Sequence, residues 1–259
     1  MQTYILSEIK RAFLSRTSLI AMFFSIILMF VGMFEAVLWA FKAETSLLYI
    51  FLQGYNGGTS NFLMIAFPIL ACIPFASTYR TDYDSGFSRY VYTRMEKAKY
   101  MTVKFVINCL AGGFVIVIGP LIALLFLLML KPLLRIPMVN QELETVNTFH
   151  QAGIYSPIMM LIIILVTLFF CGVIFSALGL GVSTVIKNKY VAMLIPFAYV
   201  IISATFLRLI NEKLNAIYLY DVDYTMSIFQ RFAYGAVLIT ISILLFFIGG
   251  SKKLEEKSI

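Results

Sequence analysis

Six long apolar runs dominate this 259-residue chain, and they decide which solvent it can fold in. They lie roughly at 18–40, 61–79, 103–130, 157–186, 190–210 and 231–250. Each comes close to or exceeds the ~20 residues that a helix needs to cross a bilayer core. The whole sequence is 61% hydrophobic and only 13% charged, with a mean hydropathy of +0.92. A soluble domain carries roughly a quarter of its residues charged. So much apolar surface calls for lipid around it. The expected fold is therefore all-α: a polytopic membrane domain of six transmembrane helices over 18–259, preceded by a separate segment at 1–17. The third and fourth runs are longer than a bilayer needs, which predicts tilt, kinking or extension beyond it. Pro68, Pro74, Pro120, Pro157 and Pro196 fall in or near these runs. Prolines are tolerated there when neighbouring helices satisfy the freed carbonyls.

Lys and Arg set the orientation, because they concentrate on the cytoplasmic side. Six crossings put both termini on one side, together with the loops near 80–102 and 187–189. That side holds 14 of the 20 basic residues: Lys10, Arg11 and Arg16, six between Arg80 and Lys104, Lys187 and Lys189, and three in the C-terminal tail. The other side holds six. The expectation is a cell-membrane protein with both termini cytoplasmic. The same asymmetry accounts for the +7 net charge without a nucleic-acid partner.

The first 17 residues do not look like a signal sequence, and the first apolar run is expected to remain as a span. At 100° per residue, Ile5, Leu6, Ile9, Ala12 and Phe13 share one face, while Ser7, Glu8, Lys10 and Arg11 point elsewhere. That pattern predicts a basic amphipathic helix lying along the inner leaflet. On the outer side, the segments 131–156 and 208–231 are too polar to span.

Several chemistries are missing from the sequence. There is no GxxxxGK[ST] loop to cradle phosphates, no HExxH and no GxSxG. The single histidine, His150, sits in an outer loop and cannot build a histidine metal site alone. Cys72, Cys109 and Cys171 lie within apolar runs and read as small hydrophobes, so neither a disulfide framework nor a metal site is indicated. Two DxD pairs, Asp82/Asp84 and Asp221/Asp223, have the spacing to share a cation. Arg80 and Arg89 beside the first are expected to neutralise it instead. Glu35 and Arg208 stand near the outer ends of their runs, where snorkelling explains them as well as function does. In the fourth run, Gly172/Ser176 and Ala177/Gly181 form small-xxx-small pairs that allow close helix approach, within the chain or between two copies.

The most polar stretch among the apolar runs is "DYDSGFSRYVYTRMEKAKYMTVK". An amphipathic N-terminal helix, six spans and such a charged loop between spans two and three resemble an ABC-2 type transporter permease, in particular a Gram-positive bacterial subgroup in which "DYDxGF" precedes a basic, proline-poor segment. Asp84 and Gly86 are similar to the acidic-x-Gly start of the permease loop. Phe87, Arg89, Tyr90 and Val91 match its short helix. Arg94 and Met95 stand where many members have proline. Lys97 and Lys99 lie near the basic turn, and Lys104 matches the lysine that opens span three. The resemblance implies a short cytoplasmic coupling helix within about 80–102, docking on a separate ATPase subunit present in two copies. It also implies a second permease, identical or related. ATP and Mg would be bound by the partner, this chain would carry no cofactor and no catalytic residue, and spans one, two and five would line the path. An exporter of a peptide, antimicrobial or lipid-like amphipathic substrate is the function it implies. Two other readings stay open on the sequence: a sensor or immunity protein sharing the permease fold, and a lipid-modifying membrane enzyme.

Overall fold

The structure, a computed structural model, describes residues 2–42, 45–57, 62–139, 149, 152–186, 188–221 and 226–256. Every element among them is helical. The chain opens with α1 (Gln2–Phe13) and α2 (Arg16–Ala40). α3 (Leu47–Leu52) runs into a π-helical turn at Gln53–Gly57. Then come α4 (Phe62–Cys72), the short helices α5 (Thr78–Asp84) and α6 (Phe87–Tyr92), and the long α7 (Lys97–Leu134). α8 is Pro157–Val185, α9 runs Lys189–Ile210 through a π-turn at Ser203–Leu207, and α10 is Ile228–Glu256. Local chemistry marks the starts. The Ser15 hydroxyl accepts from the Ser18 amide (3.2 Å), and the Asn188 side chain accepts from the Tyr190 amide (3.0 Å). Each satisfies a donor that the first turn leaves open.

Five helices are long and apolar enough to cross a membrane: α2, α7, α8, α9 and α10. The expected second span at 61–79 departs from this pattern. Its helix α4 stops after 11 residues. That length rises only about 16 Å. The cause is Pro74, which has no amide to donate. Bonds from Ile73 N to Ile69 O (3.2 Å) and Ala76 N to Cys72 O (3.2 Å) carry the helical pattern around it, and α5 follows. The segment is well enclosed: Phe67, Cys72, Phe75 and Ala76 are buried, and α4 touches α2, α7, α8 and α9.

Two ends of the bundle can be told apart by contacts. At the near end, α1 and α6 meet the start of α7, α5 meets the end of α8, and the Tyr79 hydroxyl donates to Gly250 O of α10 (3.3 Å). At the far end, the Leu47 amide that opens α3 donates to Pro137 O just past α7 (3.0 Å), and the Ala216 amide donates to the Ser203 hydroxyl of α9 (3.0 Å). There Phe67 stacks flat on Tyr220, ring centroids 4.8 Å apart.

Apolar side chains also cover much of the outside. Phe34 of α2 is 64% exposed and Phe229 of α10 is 81% exposed. A water-soluble bundle would bury such residues; a bundle with lipid around it need not. Inside, contact is made by small residues. Gly172, Ser176, Ala177 and Gly181 are all buried within the chain. A Cβ on Gly172 would come to 2.7 Å from Gly112 O of α7, and one on Gly181 to 2.8 Å from Ser242 O of α10. The small-xxx-small surface of α8 therefore packs against the chain's own α7 and α10. Gly172→Leu is expected to cost about 1–3 kcal/mol or more, because the obstruction is backbone rather than a movable side chain. The check is the thermal midpoint of the detergent-purified variant; a midpoint equal to wild type would mean that α7 and α8 are not this close.

Candidate functional site

The near end holds a cluster of buried charges that no local sequence pattern announces. Lys104, two turns into α7, is fully buried. Its ammonium lies 2.7 Å from Glu8 Oε2 on α1 and 2.6 Å from Asp82 Oδ2 on α5. Arg11 Nη1 donates to Asp82 Oδ1 at 2.7 Å and lies 3.9 Å from Glu8 Oε1. The Tyr100 hydroxyl donates to Asp82 Oδ2 (3.3 Å). The rings of Phe75 and Tyr100 approach the Lys104 ammonium at 4.8 and 5.7 Å. Two carboxylates and two cations thus balance, with Glu8, Asp82 and Lys104 buried and Arg11 partly exposed at the edge. In such a site the loss of one partner costs far more than the pair contributes, because an opposite charge is left buried and alone.

This arrangement turns α1 inside out relative to a helix on a soluble protein. Glu8 and Ala12 face the bundle, while Leu6 and Ile9 are exposed. Around the cluster, burial pushes the Tyr4 phenol well above its ordinary range, with Glu8 beside it adding to the shift. Burial likewise raises Tyr92. Burial opposes the charge on Arg11, but the hydrogen bond and the charge of Asp82, together with the charge of Glu8, outweigh it and hold the guanidinium above its usual value.

The cluster braces the polar stretch singled out in the sequence. Asp82 anchors the inner side of α5, and Asp84, on its outer side, pairs with Arg80 (2.9 Å). The DxD pair therefore points its acids apart. Arg80 neutralises Asp84 as expected, while Asp82 is neutralised by Lys104 together with Arg11. Gly86 turns the chain from α5 to α6 at φ +76°, a conformation that costs L-residues about 1–2 kcal/mol. α6 then lays one face inward. Ser88 and Val91 are buried, and Tyr92 meets Tyr100 edge-on at 5.3 Å. Its other face looks out: Phe87 is 42% and Tyr90 76% exposed, and Arg94 is exposed one turn further on. Positions 87 and 90 share one helical stripe, and Arg94 follows in the turn after α6.

The expected coupling residues thus separate into two sets. Asp84, Phe87, Tyr90 and Arg94 lie on the surface, with Lys97 half-buried at the start of α7. Val91 and Lys104 are buried behind it. Arg89 falls on α6, and its side chain lies outside the described part of the structure. Glu8, Arg11, Asp82 and Tyr100 were not singled out as site residues by the sequence. One signal for them exists: a lysine seven residues into α7 and surrounded by apolar residues needs a buried acid. His150 and Asp223 lie outside the described residues. Cys72 and Cys171 are buried and donate to the carbonyls of Phe175 and Leu219. Among the described residues no group of three or more His, Cys, Asp or Glu is placed to hold a metal.

In comparisons with known proteins, no family model matches the chain, and neither a curated protein nor a solved structure matches it.

Lys104→Met is expected to lower stability by about 3–5 kcal/mol, since Glu8 and Asp82 then share a buried site short of a cation. Adding Glu8→Gln should recover a large part of that loss. Thermal midpoints of the single and double variants in detergent provide the cycle. A neutral Lys104→Met would mean that water reaches the cluster.

Proposed function

We propose that this chain is the permease subunit of an ATP-driven ABC-2 type transporter, with six membrane crossings and both termini cytoplasmic in a cell membrane. On this reading the near end faces the cytoplasm, and the sixth crossing is the proline-interrupted path through α4 and α5. α1 lies at the inner leaflet with Leu6 and Ile9 toward lipid, which matches exposed apolar residues beside a basic flank. α6 is the coupling helix. A separate ATPase, in two copies, docks on its outward stripe and supplies ATP and Mg. A second permease, identical or related, completes the complex, which exports a peptide, antimicrobial or lipid-like amphipathic substrate. This chain carries no catalytic role of its own.

The observation that carries this reading is the form of α6. A six-residue helix with two exposed aromatics is too short to hold itself together in water. Here it is held from behind by Val91, Tyr92 and Tyr100, and by the charge cluster beneath α5. A rigid helix presenting Phe87 and Tyr90 with Arg94 at their edge has the make-up of an interface anchor, where aromatics and arginine dominate the energy. The same end carries the excess of basic residues that marks the cytoplasmic side.

The tagged chain, extracted from its native membrane in mild detergent, is expected to bring down an ATPase subunit bearing a phosphate-binding GxxxxGK[ST] loop. Tyr90→Asp should remove that subunit from the eluate while leaving the amount of inserted permease unchanged. An eluate with no ATPase, under conditions that preserve other complexes of this type, would overturn the reading and favour a sensor or immunity protein.

Orientation is tested separately. With impermeant thiol reagents on intact cells, Thr93→Cys on the near end is expected to stay unlabelled and Tyr155→Cys on the far end to label. The reverse pattern would invert the topology.

A further inference from the structure

The elbow between α1 and α2 carries positive charge that the chain itself does not answer. From Met1 to Phe34 the sequence holds one acid, Glu8, against Lys10, Arg11 and Arg16. Glu8 is buried against Lys104, and Arg11 is paired with Asp82. Lys10 and Arg16 are exposed, and neither meets a carboxylate among the described residues. Apolar side chains are exposed at the same place: Leu6, Ile9 and Leu14, the last at 67%. Leu6, Lys10 and Leu14 fall in one i,i+4 row. The Leu14 amide donates to Lys10 O (2.8 Å), which carries the helical pattern of α1 up to Leu14. Arg16 then opens α2, where Leu19 and Ile20 are again about half exposed. The bend itself is fixed. The Ser18 hydroxyl donates to Ala12 O, and the Ser15 hydroxyl bonds with that of Ser18 (2.7 Å). Phe13 meets Phe114 of α7 edge-on, ring centroids 5.5 Å apart.

We propose that this elbow is a binding surface for an anionic phospholipid of the leaflet at the near end, with the headgroup at Lys10 and Arg16 and the hydrocarbon against Leu6, Ile9 and Leu14. Charge and polarity together select this occupant. Two unmatched cations favour an anion, and each gains from a negatively charged leaflet surface. The apolar row beside them favours an anion that carries hydrocarbon. A soluble phosphate meets only the first requirement, and a zwitterionic lipid only the second. Position agrees: α2 is long and apolar enough to cross a membrane, and Arg16 is its first residue, at the depth of headgroups. The inner face of α1 carries Glu8 and Arg11, so the lipid holds this helix from the side opposite the charge cluster. The inference rests on the proposed placement of α1 at a leaflet surface and not on the ATPase.

The test uses the full chain purified in detergent, incubated with an equimolar mixture of phosphatidylglycerol and phosphatidylcholine and weighed intact by native mass spectrometry. Wild type is expected to retain phosphatidylglycerol in excess. Lys10→Gln and Arg16→Gln should each lower that preference about fivefold, the scale of one cation at an anionic surface. Lys10→Arg should keep it. Lys99→Gln removes another near-end cation, one already paired with Glu96 at 3.0 Å, and should leave the preference unchanged. Excess inorganic phosphate should not displace the lipid. No preference in wild type, an undiminished preference in the Lys10→Gln/Arg16→Gln double variant, an equal loss in Lys99→Gln, or displacement by phosphate would overturn the proposal. Retention is read on the chain alone, so it holds or fails whether or not an ATPase is found. Inverted thiol labelling would move the surface to the other leaflet without changing the preference.

Discussion

Everything at the near end depends on one ammonium group. Lys104 is buried between Glu8 of α1 and Asp82 of α5, so three separate segments of chain meet at one charge. A lysine in that position, with Phe75 and Tyr100 around it, is tolerable only while both acids are in place. The arrangement is therefore all-or-none. α1 cannot leave the bundle without stripping Glu8 from Lys104, and α5 cannot move without taking Asp82. α6 inherits this rigidity through Gly86 and through Tyr92 against Tyr100. A short exposed helix that would melt by itself is fixed to the first turns of α7.

A second constraint comes from the five described helices that are long and apolar enough to cross a membrane. Helix association in lipid gains little from burying apolar surface, so packing has to come from close backbone approach. α8 is built for this, with Gly172 against Gly112 and Gly181 against Ser242. The large apolar residues are displaced outward, to Phe34, Leu209 and Phe229. Where α8 and α10 do not close, between Val166 and Ile239, an apolar groove remains. The proline-interrupted α4 sits at the centre, where four neighbouring helices enclose it.

The apolar runs were legible because their physics is local: length and composition alone predict five of the helices to within a few residues. The sixth run was legible as apolar but not as broken, since Pro68 is absorbed inside α4 while Pro74 ends it, and only packing distinguishes them. The amphipathic character of α1 was visible in its periodicity, and Leu6 and Ile9 do face out. The role of Glu8 was not visible, because its partner lies 96 residues away and periodicity says nothing about which distant cation a carboxylate meets. For the same reason Lys104 read as the lysine that opens span three in the permease pattern, and not as a buried partner of two acids. The polar segment with its glycine was legible as a turn followed by a short helix, and Gly86 does take a positive φ. The small-xxx-small pairs announced a close contact, while the choice between α7 and a second copy required coordinates.

The measurement that most directly tests this account is amide hydrogen exchange on the detergent-solubilised chain, wild type against Lys104→Met. If the cluster is what fixes α6, protection in α1 and α6 falls together in the variant while α8 stays protected. If α6 keeps its wild-type protection without Lys104, the helix is held by its own contacts, and the buried charges are not what joins it to the bundle.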